Sequence, residues 1–452
     1  MEKIIGSTAT VPVTTAAAAA ATADADADEL LFRKVAWRIV PFLFVCYVVS
    51  YLDRTNIGFA QLQMKHDLGF SDAIYGLGAA TFFVGYVLFE VPSNLLLAKF
   101  GARRTFTRIL LLWGLASVGM LFVSTPGNFY VLRFLLGVFE AGFFPGVVLY
   151  LTYWFPPNRR AGVLSVFFAG LTGAGVCGGL ASGWIMRDMS GVLGLLGWQW
   201  LFVIEGLPAV LLAFVAPFCL VDKPRDANWL TTHEKQRLEL LLAGSGEVSS
   251  GAHDSSGLLA VLRNPRVYLF AFVHFALTCA TLNLVLWMPL MIRDFGIVDV
   301  VAISLYTVVP NAIGAVGMIL IARHSDRARD RRKHFWFCVF GGAAALAALT
   351  LHLPSFPVML ALLSICTTLG FAAFPVFWAV PPTCLPGKTT APGIAAISSI
   401  GMTSGIVGPW LIGQIRTTTG SMDLALYLLA ALLFLSGIAL HLGVRLKADQ
   451  CD

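Results

Sequence analysis

Apolar residues run in twelve stretches along this chain, each long enough to cross a hydrocarbon layer as a helix. A crossing takes about 20 residues at helical rise, which predicts spans over residues 36–60, 74–97, 105–125, 129–153, 161–186, 198–221, 266–291, 301–322, 335–353, 356–380, 391–415 and 422–444. The runs lack the alternation of barrel strands, and backbone groups in lipid must bond within their own segment, so an all-α membrane protein follows. The polar stretches divide it. Residues 1–29 carry an alanine run and then Asp24, Asp26, Asp28 and Glu29, the pattern of a disordered tail before a first bundle over 30–221. Residues 222–262 hold Lys223-Pro224-Arg225, a helical-looking Thr232 to Leu242 and a Gly/Ser-rich 244–257, the pattern of a linker before a second bundle over 263–447. The segment ahead of the first span turns acidic, unlike a secretory signal, so the first helix is expected to serve as the insertion signal.

Composition agrees, with 58% hydrophobic and 12% charged residues in 452, against about 25% charged in soluble domains. The eight cysteines are scattered, six of them singly in apolar runs, as small buried hydrophobes are, and no metal or cofactor is expected. The net charge of +6 follows topology rather than a nucleic-acid surface. The tail and even-numbered connections hold 25 of the 31 basic residues and the opposite side four, Lys65, Arg187, Arg293 and Arg416, so both termini are expected in the cytoplasm. Arg54 and Arg133 remain, inside spans.

The connection after the second span, Asn94 to Arg104, is matched after the eighth by Ala322 to Arg327 and then Arg331 to Lys333, and the fifth and eleventh spans are both glycine-rich. This predicts two homologous six-helix bundles around a central site, with small-residue faces allowing close helix approach. The motifs Tyr51-Leu-Asp-Arg-Thr-Asn-Ile-Gly58, Phe89-Glu-Val-Pro-Ser-Asn94, Arg133-Phe-Leu-Leu-Gly-Val-Phe-Glu140, Tyr153-Trp-Phe-Pro156 and Gly197-Trp-Gln-Trp-Leu-Phe-Val-Ile-Glu-Gly-Leu-Pro208 resemble a major facilitator superfamily transporter. More narrowly, they resemble the anion:cation symporter family, with wording similar to bacterial tartrate and sugar-acid transporters. The resemblance implies a proton-coupled importer of carboxylates, a monomer in the cell's inner membrane, whose partners are a small organic anion, protons and the bilayer. It also implies gating loops, here Arg103 and Arg104 in the first half and Asp326 and Arg327 in the second. Ala98 stands where the family's first loop usually has an acid, which weakens a first-half gate.

Ionisable side chains at membrane depth are costly and face partners or a pathway by default. Arg54 is the candidate substrate-binding residue, since a guanidinium keeps its charge and can hold a carboxylate by two parallel hydrogen bonds; the alternative is a permanent pair with Asp53 or Glu140. Asp53 and Glu140 are candidate proton carriers, because a nearby guanidinium that moves or is neutralised by substrate changes a carboxyl's proton affinity; a static salt bridge is their alternative. Arg133 lies seven residues before Glu140, almost two turns and about 10.5 Å, as a supporting charge or a structural pair, and Gly137 between them is expected to admit the first span. Glu90 and Glu205 read as helix braces, and His274 as a packed residue.

The second half has no Asp, Glu, Lys or Arg in the interior of a span by this placement, so it is expected to supply shape and hydrogen bonds. Candidates are Asn283, Trp378, Ser398 and Thr403, with Tyr51 from the first half; Pro375 beside Trp378 is expected to break its helix. Organophosphate exchangers resemble this architecture but carry arginine on the seventh span, absent here, which favours a modestly charged carboxylate. Exchange or uniport of organic anions and a transporter-derived sensor are the alternatives. The pattern shows no catalytic constellation, so an enzyme is not expected.

Overall fold

The computed structural model describes residues 13–243, 263–328, 330–385 and 390–443. Its helices are α1 (Val13–Asp67), α2 (Asp72–Phe100), α3 (Ala102–Gly119), α4 (Pro126–Glu140), α5 (Phe143–Thr152), α6 (Pro157–Asp188), α7 (Gly197–Cys219), α8 (Thr232–Ala243), α9 (Pro265–Asp294), α10 (Val300–Ala328), α11 (Arg331–Leu349), α12 (Phe356–Trp378), α13 (Pro381–Cys384), α14 (Thr390–Met402), α15 (Ser404–Thr419) and α16 (Asp423–Gly443). Ten helical segments among the described residues are long and apolar enough to cross a membrane. The other two predicted spans coincide with α6 and α11, the second of which opens on Arg331, Arg332 and Lys333.

Two predicted spans are broken. The fourth divides into α4 and α5 because Gly142 adopts φ +82°, a backbone conformation that side-chain-bearing residues rarely take. A Cβ there would also lie 2.6 Å from that of Ser93 on α2. The eleventh divides at Thr403 into α14 and α15. The break expected at Pro375 does not form: α12 runs through it to Trp378, and Pro375 is exposed. Neighbouring helices and water can satisfy a carbonyl freed by proline in a membrane helix.

Packing within the two bundles repeats with a shift of six spans. In the first, α1 packs on α6 and α7, α2 on α4, and α3 on α7; in the second, α9 packs on α14 and α16, α10 on α12, and α11 on α16. Between bundles, α2 lies on α15, α6 on α10 and α1 on α9. Gly58 backs onto the Leu286 carbonyl, Gly76 onto that of Pro409, and Gly183 onto Ser304, all in the half away from the termini. There Arg416, 7% exposed, pairs with Asp72 at 3.0 Å and Asp294 at 2.5 Å. Lys65 and Gln61 also bond Asp72, and the Ala73 N–H donates to Thr417. Toward the other end α2 exposes Leu88, Val91 and Leu95.

The expected tail and linker are more ordered than their composition indicated. The chain is helical from Val13, continuous with α1, and residues 1–12 lie outside the described residues. The linker helix α8 forms where expected but lies on the first bundle, held by Lys34 to Glu234 and Arg237 to Asp28, each at 2.8 Å. Leu230 and Leu238 join the apolar core beneath it, and Trp229 stacks on Trp154 at 5.6 Å. The Gly/Ser-rich 244–257 lies outside the described residues.

Candidate functional site

Helix α1 carries adjacent charges that face different surroundings, because successive residues on a helix are about 100° apart. Arg54 turns toward α4, where its Nε donates to Glu140 Oε1 at 2.7 Å. Ser50, one turn earlier on the same face, donates to that oxygen at 2.5 Å. The guanidinium lies over the Tyr86 ring, 4.8 Å from its centroid, and 5.8 Å from that of Phe82. Tyr47, Tyr51 and Glu90 also fall within its electrostatic reach. Arg54 retains 18% side-chain exposure while Glu140 is fully enclosed, and Glu140 Oε2 has no hydrogen-bond partner. The pair therefore joins an accessible cation to a carboxylate that has one oxygen engaged and one unengaged. Glu140 is also the last residue of α4, directly before the break at Gly142.

Asp53 turns into the first bundle. Trp113 Nε1 donates to its Oδ2 at 2.8 Å, while Ser117 Oγ and Asn56 Nδ2, the latter at 3.2 Å, donate to Oδ1. It makes no ion pair with Arg54. Arg133 is buried on α4, 4.9 Å from the Phe82 ring centroid, with Nε donating to the Gly78 carbonyl at 3.3 Å. Its Nη1 is unpartnered. No salt bridge to Arg133 is found among the described residues, so its charge acts on Asp53 and Glu140 only through space. Gly137 does not admit the first span as expected: it faces the Phe82 carbonyl of α2. The long Arg54 side chain reaches Glu140 without a close approach of backbones.

The second-half candidates are dispersed. Asn283 is buried, with Nδ2 donating to the Cys279 carbonyl at 2.7 Å and packed against Gly408 of α15, and its Oδ1 has no donor. Trp378 packs edge-on to His274 with ring centroids 5.0 Å apart. Thr403 bonds the Ile400 carbonyl at the break in its span, and Ser398 is partly buried one helix earlier. Of the expected gating residues, the Arg103 N–H donates to Asp222 at 2.9 Å, which ties α3 to the end of the sixth span. Arg104 and Arg108 line a shallow depression beside it, and Arg327 is exposed at the end of α10. The Asp326 side chain lies outside the described residues.

Ser50, Tyr47 and Tyr86 were missed by sequence reasoning. Ser50 and Tyr47 precede Arg54 by four and seven residues, and Phe82, Tyr86 and Glu90 form an i, i+4, i+8 stripe on α2. That spacing was the available signal.

The family described as Major Facilitator Superfamily matches residues 43–409. A putative tartrate transporter of Agrobacterium vitis is 44% identical over 90% of this chain and 89% of its own. A quinolone resistance transporter of Acinetobacter baumannii is 41% identical over 92% of this chain and 95% of its own. Among solved structures, the xylose transporter XylE from E. coli, in a partially occluded inward-open conformation, superposes with a TM-score of 0.71 at 14% identity, covering 90% of this chain and 99% of that one.

Proposed function

Because the chain belongs to the Major Facilitator Superfamily, a family of transporters rather than enzymes, we propose that it imports a small organic carboxylate together with protons. The membership narrows, on this reading, to the anion:cation symporters. Substrate class rests on the Arg54–Glu140 pair and on the similarity to a protein named as a putative tartrate transporter. A substrate carboxylate can take the place of the Glu140 carboxylate on the guanidinium, since both offer the same acceptor geometry. Glu140 released from its cation is then the better proton acceptor, and re-pairing expels the proton. Binding and protonation are thereby made mutually dependent, as symport requires.

Residues 30–221 and 263–447 act as the two alternating units in this scheme, with 222–262 between them; residues up to 243 travel with the first unit, on which α8 lies. The charge bias places the termini in the cytoplasm of a cell whose inner membrane the monomer spans. The end closed by Asp72 and Arg416 is then the external one on this reading.

The deciding experiment is uptake of labelled tartrate, sugar acids and aromatic carboxylates into proteoliposomes under an inward proton gradient. Accumulation of at least one carboxylate, abolished by a protonophore, is expected. Accumulation indifferent to the protonophore overturns proton coupling. The relative named as a quinolone resistance transporter motivates a second reading, proton-driven export, in which the same gradient instead empties preloaded vesicles.

A further inference from the structure

Two histidine contacts join neighbouring helices to the first turn of α11, at the end of the second bundle that the proposed orientation puts in the cytoplasm. That turn reaches three neighbours. Arg331 Nη1 donates to the Ala379 carbonyl at the close of α12, at 3.1 Å. Arg332 Nη2 donates to His441 Nδ1 of α16 at 2.7 Å and to the His441 carbonyl at 3.2 Å. The guanidinium carbon and the His441 ring centroid each lie 4.6 Å from the centre of the Trp336 ring. His334 Nε2 meets His324 Nδ1 of α10 at 2.7 Å, and His334 Nδ1 lies 2.6 Å from the Asp330 carbonyl oxygen. One helical turn thus ties the ends of α10, α12 and α16 to α11.

The partners dictate where the protons sit. A guanidinium has only donors, so His441 Nδ1 must accept, and that ring is neutral with its proton on Nε2. A carbonyl has only lone pairs, so His334 Nδ1 carries a proton and donates it. When both rings of the α10 contact are neutral, His334 Nε2 is therefore the acceptor and His324 Nδ1 the donor. Imidazole changes charge between about pH 5 and 8, and the two contacts respond to it differently. A proton added to His441 takes Nδ1 away as an acceptor and sets an imidazolium against the Arg332 guanidinium. The His324 and His334 pair can hold one added proton on either ring and keep its bond, but a second leaves two N–H groups pointing at each other between two cations.

We propose that the first turn of α11 is an acid-released staple on the second bundle: one proton on His441 frees the end of α16, two on the His324 and His334 pair free that of α10, and the Arg331 tie to α12 holds throughout. The step is proton uptake from adjoining water at a ring nitrogen, and nothing is oxidised or reduced. The surrounding charges are mostly of the sign that favours release. Arg323 and Arg327 are exposed on α10, and Lys333 is exposed on α11. Asp330 acts on His334 through space, yet its carboxylate is engaged by Lys333 at 2.8 Å, and that hydrogen bond holds the carboxyl below its usual range. Asp423 of α16 lies at the far end of that helix, paired with His352. The staple rests on the proposed orientation and symport for its use, since protons carried with the substrate would arrive at this end, but its existence can be tested without transport.

Nitrogen NMR of the full chain in lipid nanodiscs, isotope-labelled at histidine, separates the two neutral tautomers from the charged ring. At about pH 8 His441 should carry its proton on Nε2, and His324 and His334 theirs on Nδ1. A His441 protonated at Nδ1 at that pH overturns the proposal. Hydrogen exchange of the same sample, corrected for its intrinsic pH dependence, reads the release. Exchange in 436–443 should rise about fivefold between about pH 8 and 6, that in 320–328 only toward about pH 5, and that in 372–379 at neither. Protection of 436–443 that does not change with pH, or a loss shared equally with 372–379, is fatal to the staple. His441→Gln offers Arg332 an amide oxygen that does not titrate, so 436–443 should stay protected while 320–328 still responds; opening as in the wild type takes the release away from His441. Should that variant fail to insert, the wild-type tautomers and exchange still decide. If both are as expected but proton-driven uptake is absent, the symport reading fails while the staple stands.

Discussion

The α3–α7 contact of the first bundle recurs as α11–α16 in the second, and α2–α4 recurs as α10–α12, yet the buried charges do not recur. Asp53, Arg54, Arg133, Glu140 and Glu205 all belong to the first bundle, whereas the second buries Asn283, Thr307, Asn311 and His274; its one deeply buried arginine among the described residues, Arg416, is paired at the closed end. On the proposed function, a duplicated scaffold that keeps its packing while one copy carries the ions separates two tasks: attraction of the anion and proton exchange in the first bundle, shape and neutral hydrogen bonding in the second. The separation makes predictions for each half.

The largest effect is expected at Arg54. Arg54→Ala should weaken carboxylate binding by about two orders of magnitude, about 3 kcal/mol, within the range for truncating one partner of a buried charge pair. Arg54→Lys keeps the charge without the planar fork and should recover only part of that loss. Equilibrium binding of labelled substrate to purified protein measures both. Near-wild-type affinity in the alanine variant would mean that the Glu140 pair is only structural.

Next in size is Glu140→Gln, which imitates the protonated carboxyl. Substrate exchange between equilibrated compartments should survive, while accumulation driven by the proton gradient disappears. A glutamine variant that still concentrates substrate moves coupling elsewhere in the first bundle.

A smaller effect belongs to the seam between bundles. Asp72 gathers Arg416, Lys65 and Gln61 at the closed end, so Asp72→Asn should loosen that closure. The readout is alkylation of a cysteine at Thr417, in a background without reactive cysteines, by an impermeant reagent. Reactivity should rise roughly tenfold if about 1.4 kcal/mol of bias toward the closed end is lost. Unchanged reactivity would show that the glycine contacts at Gly76 and Gly183 hold the seam without the ions.

How much of this was legible depended on what each feature needs. Spans were readable because a run of apolar residues is a property of one segment alone. The Arg54 and Glu140 candidates were readable because a charge inside such a run is conspicuous by itself. The partners of Asp53 were not, since Trp113 and Ser117 lie on α3 and the rotation of one helix against another is set by packing across the bundle. For the same reason Gly137 was assigned to the wrong neighbour, and the break at Gly142 passed for continuous helix. Pro375 misled in the opposite sense, as a local breaker overridden by its surroundings. The tail and linker were read from composition, which carries no sign of the specific pairs Lys34–Glu234 and Arg237–Asp28.

The smallest expected effect tests the neutral half. Asn283 is closed in against Gly408, gives its amide N–H to the Cys279 carbonyl, and has a buried Oδ1 without a donor. Asn283→Ala removes both that hydrogen bond and that unsatisfied acceptor. A neutral hydrogen bond contributes about 0.5–1.5 kcal/mol net, and relief of the orphaned oxygen offsets part of it. Stability and substrate affinity should therefore change by no more than about threefold, about 0.7 kcal/mol. The pH dependence of uptake should not move, because no charge is altered and the proposed proton carriers lie in the other bundle. A loss of affinity comparable to that of Arg54→Ala would place Asn283 on the substrate itself, and a displaced pH profile would show that the second bundle shares in proton coupling; either result breaks the division of tasks between the two halves.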